Sequence, residues 1–495
     1  MRRLPEDYSV TSPFPMTPVS NGEWCPLPPT PKERLAAKLI AEETAARARR
    51  HGMTRAEFLR TAAATATAFM VLNKVYGLDQ WGDAAAMPVK REHCDDLDAA
   101  RELLDRKMFV MDVQMHHIDV SSPVAMTNCG ILRFNSALQR FAELGYDVSM
   151  SNLGCPEVLG QMNFIKEAFI DSQTSLGVLS GLPFSGLVIG PKAMADTRDL
   201  VNQLAGSERA LSQAMIEPAA PGGPTALRTF EQQVREFRAS ALKVYTYSGG
   251  NGTGFFLDDE AVSYPMLAEA QRLGIPLINC HKGLPGFAPN AKEYVRTTDL
   301  PKAVRDWPNL KFCAYHSGFY SSAADHPEGK AGLTEFIEVL ESMRPSERKR
   351  VYAEIGSTFA INLLRGPDQA AHLIGQLLKT LGSRNILWGT DSIWWGSPQF
   401  LIDAFKNLRI PASMQEQFGY PPLTEKAKRR ILGLNAARLY RVDPRERRCT
   451  VAGDQFAQVQ AEQGGFRAGR SLRAYGLRTR REFLAFRRLE ERIRG

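Results

Sequence analysis

Between about Lys107 and Arg441 the chain alternates short apolar, β-branched runs with stretches of helical period. Eight runs read as strands: 108–116, 174–180, 210–217, 241–247, 275–281, 310–316, 350–356 and 385–391. Amphipathic segments precede several of them: Thr225–Phe237 before the fourth, Pro265–Leu273 before the fifth and Ala371–Leu381 before the eighth. Continuous apolar runs of strand length, separated by helices, are the mark of parallel strands buried on both faces. Eight such units predict an α/β fold, a parallel (β/α)8 or TIM barrel over residues 89–442. The stretch 118–173 between the first two strands is too long for one helix and reads as an inserted cap.

What flanks the barrel has a different texture. Residues 1–88 read as an N-terminal arm, with eight prolines in the first 31 positions. A charged helical stretch, Lys32–Arg50, follows the prolines. Next come Thr54-Arg55-Ala56-Glu57-Phe58-Leu59-Arg60, an Ala/Thr-rich apolar run, and the small residues Ala84–Ala86. That layout resembles a twin-arginine export signal, with Ala56 where the second arginine belongs. The reading favours a cytoplasmic chain whose apolar helix packs on the barrel, with periplasmic export as the alternative. A better copy of the arginine motif, Thr479–Leu484, sits at the wrong end of the chain and is read as coincidence. The apolar run Thr61–Asn73 falls short of the ~20 residues that cross a bilayer, so no membrane span is expected.

The net charge of +8 would suggest a polyanionic partner until it is located. From Arg441 to Gly495 there are 14 Arg against 7 acidic residues, a net +7. The barrel is therefore close to neutral, and no nucleic-acid partner is expected. The tail, 443–495, reads as a solvated, partly helical appendage, with docking to an acidic surface or another subunit as the alternative. Seven dispersed cysteines form neither a disulfide ladder nor a zinc ribbon, and read as small buried hydrophobes.

In a parallel barrel the chemistry gathers at the C-terminal ends of the strands. The first run ends Asp112-Val113-Gln114-Met115-His116-His117, and the fifth ends Asn279-Cys280-His281. The sixth ends Ala314-Tyr315-His316 and the eighth Gly389-Thr390-Asp391. Only eight histidines exist in the chain, and three of them finish strands in this set. Three imidazoles and a carboxylate at one barrel mouth point to a metal site. Side chains alternate along a strand, so Gln114 and His116 share a face and His117 points away.

These residues, the run Val351–Glu354, the segment Ile386–Asp391 (ILWGTD) and the closing stretch Ile431–Leu439 make the chain resemble the amidohydrolase superfamily. The resemblance is to its amidohydrolase-related branch, which includes aminocarboxymuconate-semialdehyde decarboxylase. It implies one divalent ion, Zn²⁺ or Mn²⁺, held by His116, His281 and Asp391. It also implies that His316 serves as general base or polarising group. Gln114 stands where a histidine is expected and would be a weak ligand or none, since its amide oxygen is harder and less basic than imidazole.

The leading expectation is a metal-dependent hydrolase of an amide, lactone or ester, with Asp391 also shuttling the proton. A decarboxylase of an aromatic or unsaturated acid is the alternative, and a non-catalytic binding protein on a decayed site the third. Trp394, Trp395 and Phe319, just beyond strand ends, are candidate walls for a small flat substrate. Lys282 is a candidate partner for a substrate carboxylate; Lys243 is another, or else a partner of Glu354. The glycine-rich Gly249–Gly254 lacks a GK[ST] ending and reads as a rim loop rather than a phosphate cradle. A homo-oligomer is left open.

Overall fold

The computed structural model describes residues 12–14, 16, 29–77, 85–119, 159–182, 189–220, 223–247, 254–286, 290–445 and 453–468. Most of the expected inserted cap, residues 249–253 of the glycine-rich loop, most of the proline-rich arm and the tail after 468 lie outside the described residues.

Every expected strand is present. In chain order they are β1 Met111–Met115, β2 Leu176–Leu179, β3 Ala210–Ser212, β4 Ala214–Met215 and β5 Leu242–Tyr245. There follow β6 Leu277–Gly283, β7 Lys311–Phe319, β8 Val351–Glu354 and β9 Ile386–Leu387. All neighbouring pairs are parallel. The ladders form a three-stranded sheet, β1-β2-β3, and a six-stranded sheet, β4 to β9. The third expected strand is thus divided at Gln213. Its N–H donates back to Leu179 O (3.0 Å), while Ala214 N–H donates forward to Ala241 O (2.8 Å). The other seam is crossed by Val113 N–H to Trp388 O (3.1 Å) and Asp391 N–H to Gln114 O (3.0 Å). A few separate bonds rather than full ladders join the two sheets at these places.

Strand alternation sorts the side chains into two cores. Met111, Val113, Leu176, Val178, Leu277, Cys313, Tyr315 and Leu387 form an inner cluster, closed by Ala436, Ala437 and Tyr440 of the helix Asn435–Tyr440. Leu242, Val244, Ile278, Cys280, Phe312 and Ala314 face outward to the helices. Above the inner cluster lies a polar layer, in which Asn279 Nδ2 donates to Gln213 Oε1 (2.7 Å) and Tyr315 OH to Val113 O (2.7 Å). The register of β1 shifts between Asp112 and Met115. Met115 consequently joins the outer core, although Met111 and Val113 point in. Cys94, Cys280 and Cys313 are buried thiols, as expected of small hydrophobes.

The apolar run of the arm is the helix Ala62–Val75, buried from Ala62 through Asn73 and part of the main core. A helix apolar on all sides has to be covered. Asn73 fastens it, with Nδ2 to Met87 O (2.8 Å) and Met87 N–H to Asn73 Oδ1 (3.2 Å). The Thr54-Arg55-Ala56-Glu57 segment that resembles an export motif is a capping box. Thr54 Oγ1 accepts from Glu57 N–H (3.2 Å), and Glu57 Oε2 accepts from Thr54 N–H (2.8 Å). Among the described residues no helix is long and apolar enough to cross a membrane.

The first part of the basic tail is docked, which departs from the expected solvated appendage. Phe456, on the helix Gln455–Gln463, stacks on Phe169 at 5.8 Å, and the Arg209 guanidinium lies 5.7 Å from each ring. Arg467 donates to Asp403 and Asp105, neighbours of the barrel's last and first units. Aromatic and arginine groups in a nominally basic segment found matching partners on the barrel, which composition alone does not reveal.

Candidate active site at the strand ends

Four strand ends deliver the residues expected of them. Gln114 Nε2 lies 3.1 Å from Asp391 Oδ1 and 3.2 Å from His316 Nε2. His116 Nε2 lies 3.2 Å from the same Asp391 oxygen, and the His281 and His316 rings meet edge to face at 4.7 Å. All five side chains are fully or almost fully buried. The backbone is bent to bring them there. Seven non-glycine residues have positive φ among those described, and His316, Ser317, Ser357 and Asp391 are four of them. Such conformations are costly for L-residues and collect where a side chain must be aimed.

Each imidazole is tied by one nitrogen to a backbone carbonyl: His116 Nδ1 to Ser180 O (2.7 Å), His316 Nδ1 to Gly356 O (2.8 Å) and His281 Nε2 to Leu284 O (3.3 Å). With that N–H committed, the other nitrogen of a neutral ring carries a lone pair, the arrangement metal-binding histidines use. Burial pulls His281 well below its ordinary pKa and His316 down to about 4, so both are neutral. Burial pushes Asp391 upward, but the His116 contact, the nearby His316 ring and the Ser357 hydroxyl outweigh it and hold the group below the usual carboxylate range. Beside it, burial raises Asp112 to about 7 and Glu354 to about 8.

The donor set of imidazole nitrogen, carboxylate and amide oxygen fits a divalent cation. His116 Nε2 and Gln114 Oε1 are buried without an aligned hydrogen-bond partner, although Asp391 is 3.2 Å from the first. Gln114 Nε2 stands between Asp391 and His316, and among the described residues no three His, Cys, Asp or Glu side chains are gathered as a ready ligand cluster. An amide that turned end for end would offer its oxygen instead.

Other expected residues separate into those at the site and those away from it. Trp394 stacks beside His116 at 6.3 Å, and the Trp395 indole N–H donates to Ser357 Oγ (2.9 Å). His117 points away, its Nε2 2.9 Å from Thr197 Oγ1. Phe319 lies three residues past His316 in the main core, with no ring contact to the site histidines among the described residues. Lys282 is not at the mouth. It is fully buried on the strand face opposite His281, with Nζ on Asp299 Oδ2 (2.6 Å) and Tyr294 O (3.0 Å). Period-two alternation forces that outcome once His281 points in. Lys243 faces the interior, its ammonium 3.7 Å from the Tyr315 ring centre and 4.7 Å from that of Tyr245.

Several contributors escaped the sequence reading. The turn after β8 carries Gly356, whose carbonyl holds His316, and Ser357, whose hydroxyl donates to Asp391 Oδ2 (2.6 Å). A Cβ on Gly356 or on Gly389 would run into the Gln114 and Glu354 head groups, so any larger residue there would displace side chains of the site. Tyr245 stacks on His281 at 5.2 Å and Tyr247 meets it edge-on at 5.0 Å. The available signal was a Gly-Ser pair directly past a strand end.

Solved structures similar to this chain include an uncharacterised TIM-barrel protein from Bordetella bronchiseptica (17% identity, TM-score 0.44, 67% of this chain and 98% of that one). Another is the 5-carboxyvanillate decarboxylase of Sphingomonas paucimobilis (13%, 0.41, 68% and 100%). A third is the 4-oxalomesaconate hydratase of Rhodopseudomonas palustris (17%, 0.41, 67% and 96%). No curated protein matches. The family model described as Amidohydrolase matches residues 159–442, which is 284 of 495 positions and begins after β1, Gln114 and His116. The chain belongs to the amidohydrolase family.

Proposed function

We propose that the chain is a metal-dependent hydrolase acting on a C–N or C–O bond of a small amide, lactone or ester. The observation that carries this is a run of buried polar side chains: three histidines, each with one nitrogen tied to a backbone carbonyl, of which His116 meets the Asp391 carboxylate, His316 is linked to it through Gln114, and His281 packs on His316. His116, His281 and Asp391 would hold one Zn²⁺ or Mn²⁺, with the Gln114 oxygen as a weak fourth donor. Such an ion supplies Lewis acidity, making water more acidic and a carbonyl more electrophilic. Asp391 takes the proton of the attacking water and returns it to the leaving nitrogen or oxygen. His316, neutral because burial lowers its pKa to about 4, accepts a hydrogen bond through Nε2 and orients the attacking group. Trp394 beside His116, and Tyr245 and Tyr247 beside His281, keep bulk water out.

Those rings favour one second reading, decarboxylation of a flat aromatic or unsaturated acid, in which Asp391 protonates the carbon that loses carbon dioxide. The commitment of Lys282 to Asp299 weighs against it, because that cation is not free for a substrate carboxylate. Metal content of the purified chain, followed by turnover of a panel of lactones, amides and aromatic acids, tests both. Near one ion per chain and incorporation of water oxygen supports hydrolysis, whereas carbon dioxide without it supports the second reading. Binding of panel compounds with neither metal nor turnover would leave a non-catalytic protein.

A further inference from the structure

Ser357 sits just past β8, at the start of the helix Thr358–Arg365, with φ 53° and ψ −41°. A serine at the start of a helix ordinarily caps it, its oxygen accepting from a backbone N–H of the first turn. Ser357 makes no such bond. Its hydroxyl donates instead to Asp391 Oδ2 (2.6 Å), and the Trp395 indole N–H donates to Ser357 Oγ (2.9 Å). The indole occupies a lone pair of Oγ, which leaves the single hydroxyl proton for the carboxylate. All three side chains are buried: Ser357 is 2% exposed, Trp395 1% and Asp391 0%. The two carboxylate oxygens are thereby given separate tasks. Oδ2 is held by Ser357, and Oδ1 faces His116 (3.2 Å) and Gln114 (3.1 Å).

We infer that Ser357, braced by Trp395, is a positioning residue that fixes the Asp391 carboxylate so that Oδ1 alone is presented to the cation. The helix loses its side-chain cap and the backbone carries a strained turn to achieve this, a combination that packing alone does not call for. The inference rests on the metal-dependent reading above.

The test is calorimetric titration of the metal-depleted full chain with Mn²⁺ alone, for the parent, Ser357→Gly and Trp395→Phe. Glycine relieves the positive φ and removes the hydroxyl. Ser357→Gly should melt no lower than the parent yet bind Mn²⁺ about 10- to 100-fold more weakly, the range typical of groups that orient a ligand. Trp395→Phe, which keeps a ring and loses the N–H, should weaken binding by a smaller factor, about threefold, short of that range. A purely structural serine would give equal affinity in all three. If the parent binds Mn²⁺ and Ser357→Gly binds it within twofold, the inference falls and the metal reading stands. If the parent binds no Mn²⁺, both fall. Should Ser357→Gly fail to fold, Trp395→Phe decides, and unchanged affinity there overturns the proposal.

Discussion

Arg467 and Gln114 each stand between two ionisable groups, and they match them very differently. Arg467 gives Nη1 and Nη2 to the two oxygens of Asp403 (2.7 and 2.9 Å) and Nε to Asp105 (2.7 Å). Two carboxylates face a fixed fork of donors, which satisfies three of their oxygens at once. Gln114 brings one neutral amide to Asp391 and His316, and leaves its own oxygen and His116 Nε2 without aligned partners. The first cluster staples the segment before β1 to the helix Gln399–Asn407 and to the tail. The second has spare acceptor capacity, the character a bound cation or water would use. Buried polar groups that are fully satisfied hold a fold together, and a cluster with surplus capacity beside perturbed titratable groups is a candidate for chemistry.

That contrast can be broken experimentally, beginning at the site. Asp391→Asn should reduce turnover at least about 10⁴-fold while leaving the urea midpoint near the parent's, because it removes a charge that the fold does not need. A large loss of stability would show the site to be another staple. Arg467→Met should do the reverse. It strands the buried Asp403 carboxylate in the interior and should cost about 3–5 kcal/mol in urea unfolding, with metal affinity of the folded chain unchanged.

A smaller effect concerns Lys406, which donates to Gln173 Oε1 (2.5 Å) and Arg106 O (2.8 Å) beside the Arg467 staple. Burial pulls its pKa down to about 8 from 10.5. Between those values the unfolded chain still binds a proton that the folded chain has released, so stability attributable to this group rises with pH. Measured as the difference from Lys406→Met, the parent should gain up to about 3 kcal/mol between pH 8 and 10.5. A flat difference would mean that the ammonium is not desolvated. The smallest change sharpens the site side of the comparison. Gln114→His exchanges a weak oxygen donor for imidazole and should tighten Zn²⁺ binding about tenfold, near 1.4 kcal/mol, by titration.

How legible the molecule was in its sequence depended on the kind of contact involved. Barrel strands covered on both faces leave uninterrupted apolar runs, so all of them could be marked, and strand direction then placed His116, His281, His316 and Asp391 at one mouth. Period two set His117 aside, and the same rule applied to Lys282 would have turned it away from the mouth toward Asp299. Ser357 and Gly356 were not legible, because their roles arise from a turn whose positive φ no composition announces. The docked stretch 453–468 was equally hidden, since Phe456 and Arg467 look like ordinary tail residues until Phe169, Asp403 and Asp105 are brought to them.

By itself the sequence determined what repeats locally: strand and helix periods, their order, and the residue types at each strand end. Those follow from burial and backbone geometry over a few residues. Tertiary structure decided the partners: Oδ2 of Asp391 for Ser357, Asp299 for Lys282, and two carboxylates for Arg467. These pairs lie between 17 and 362 positions apart, and only closure of the chain sets their geometry.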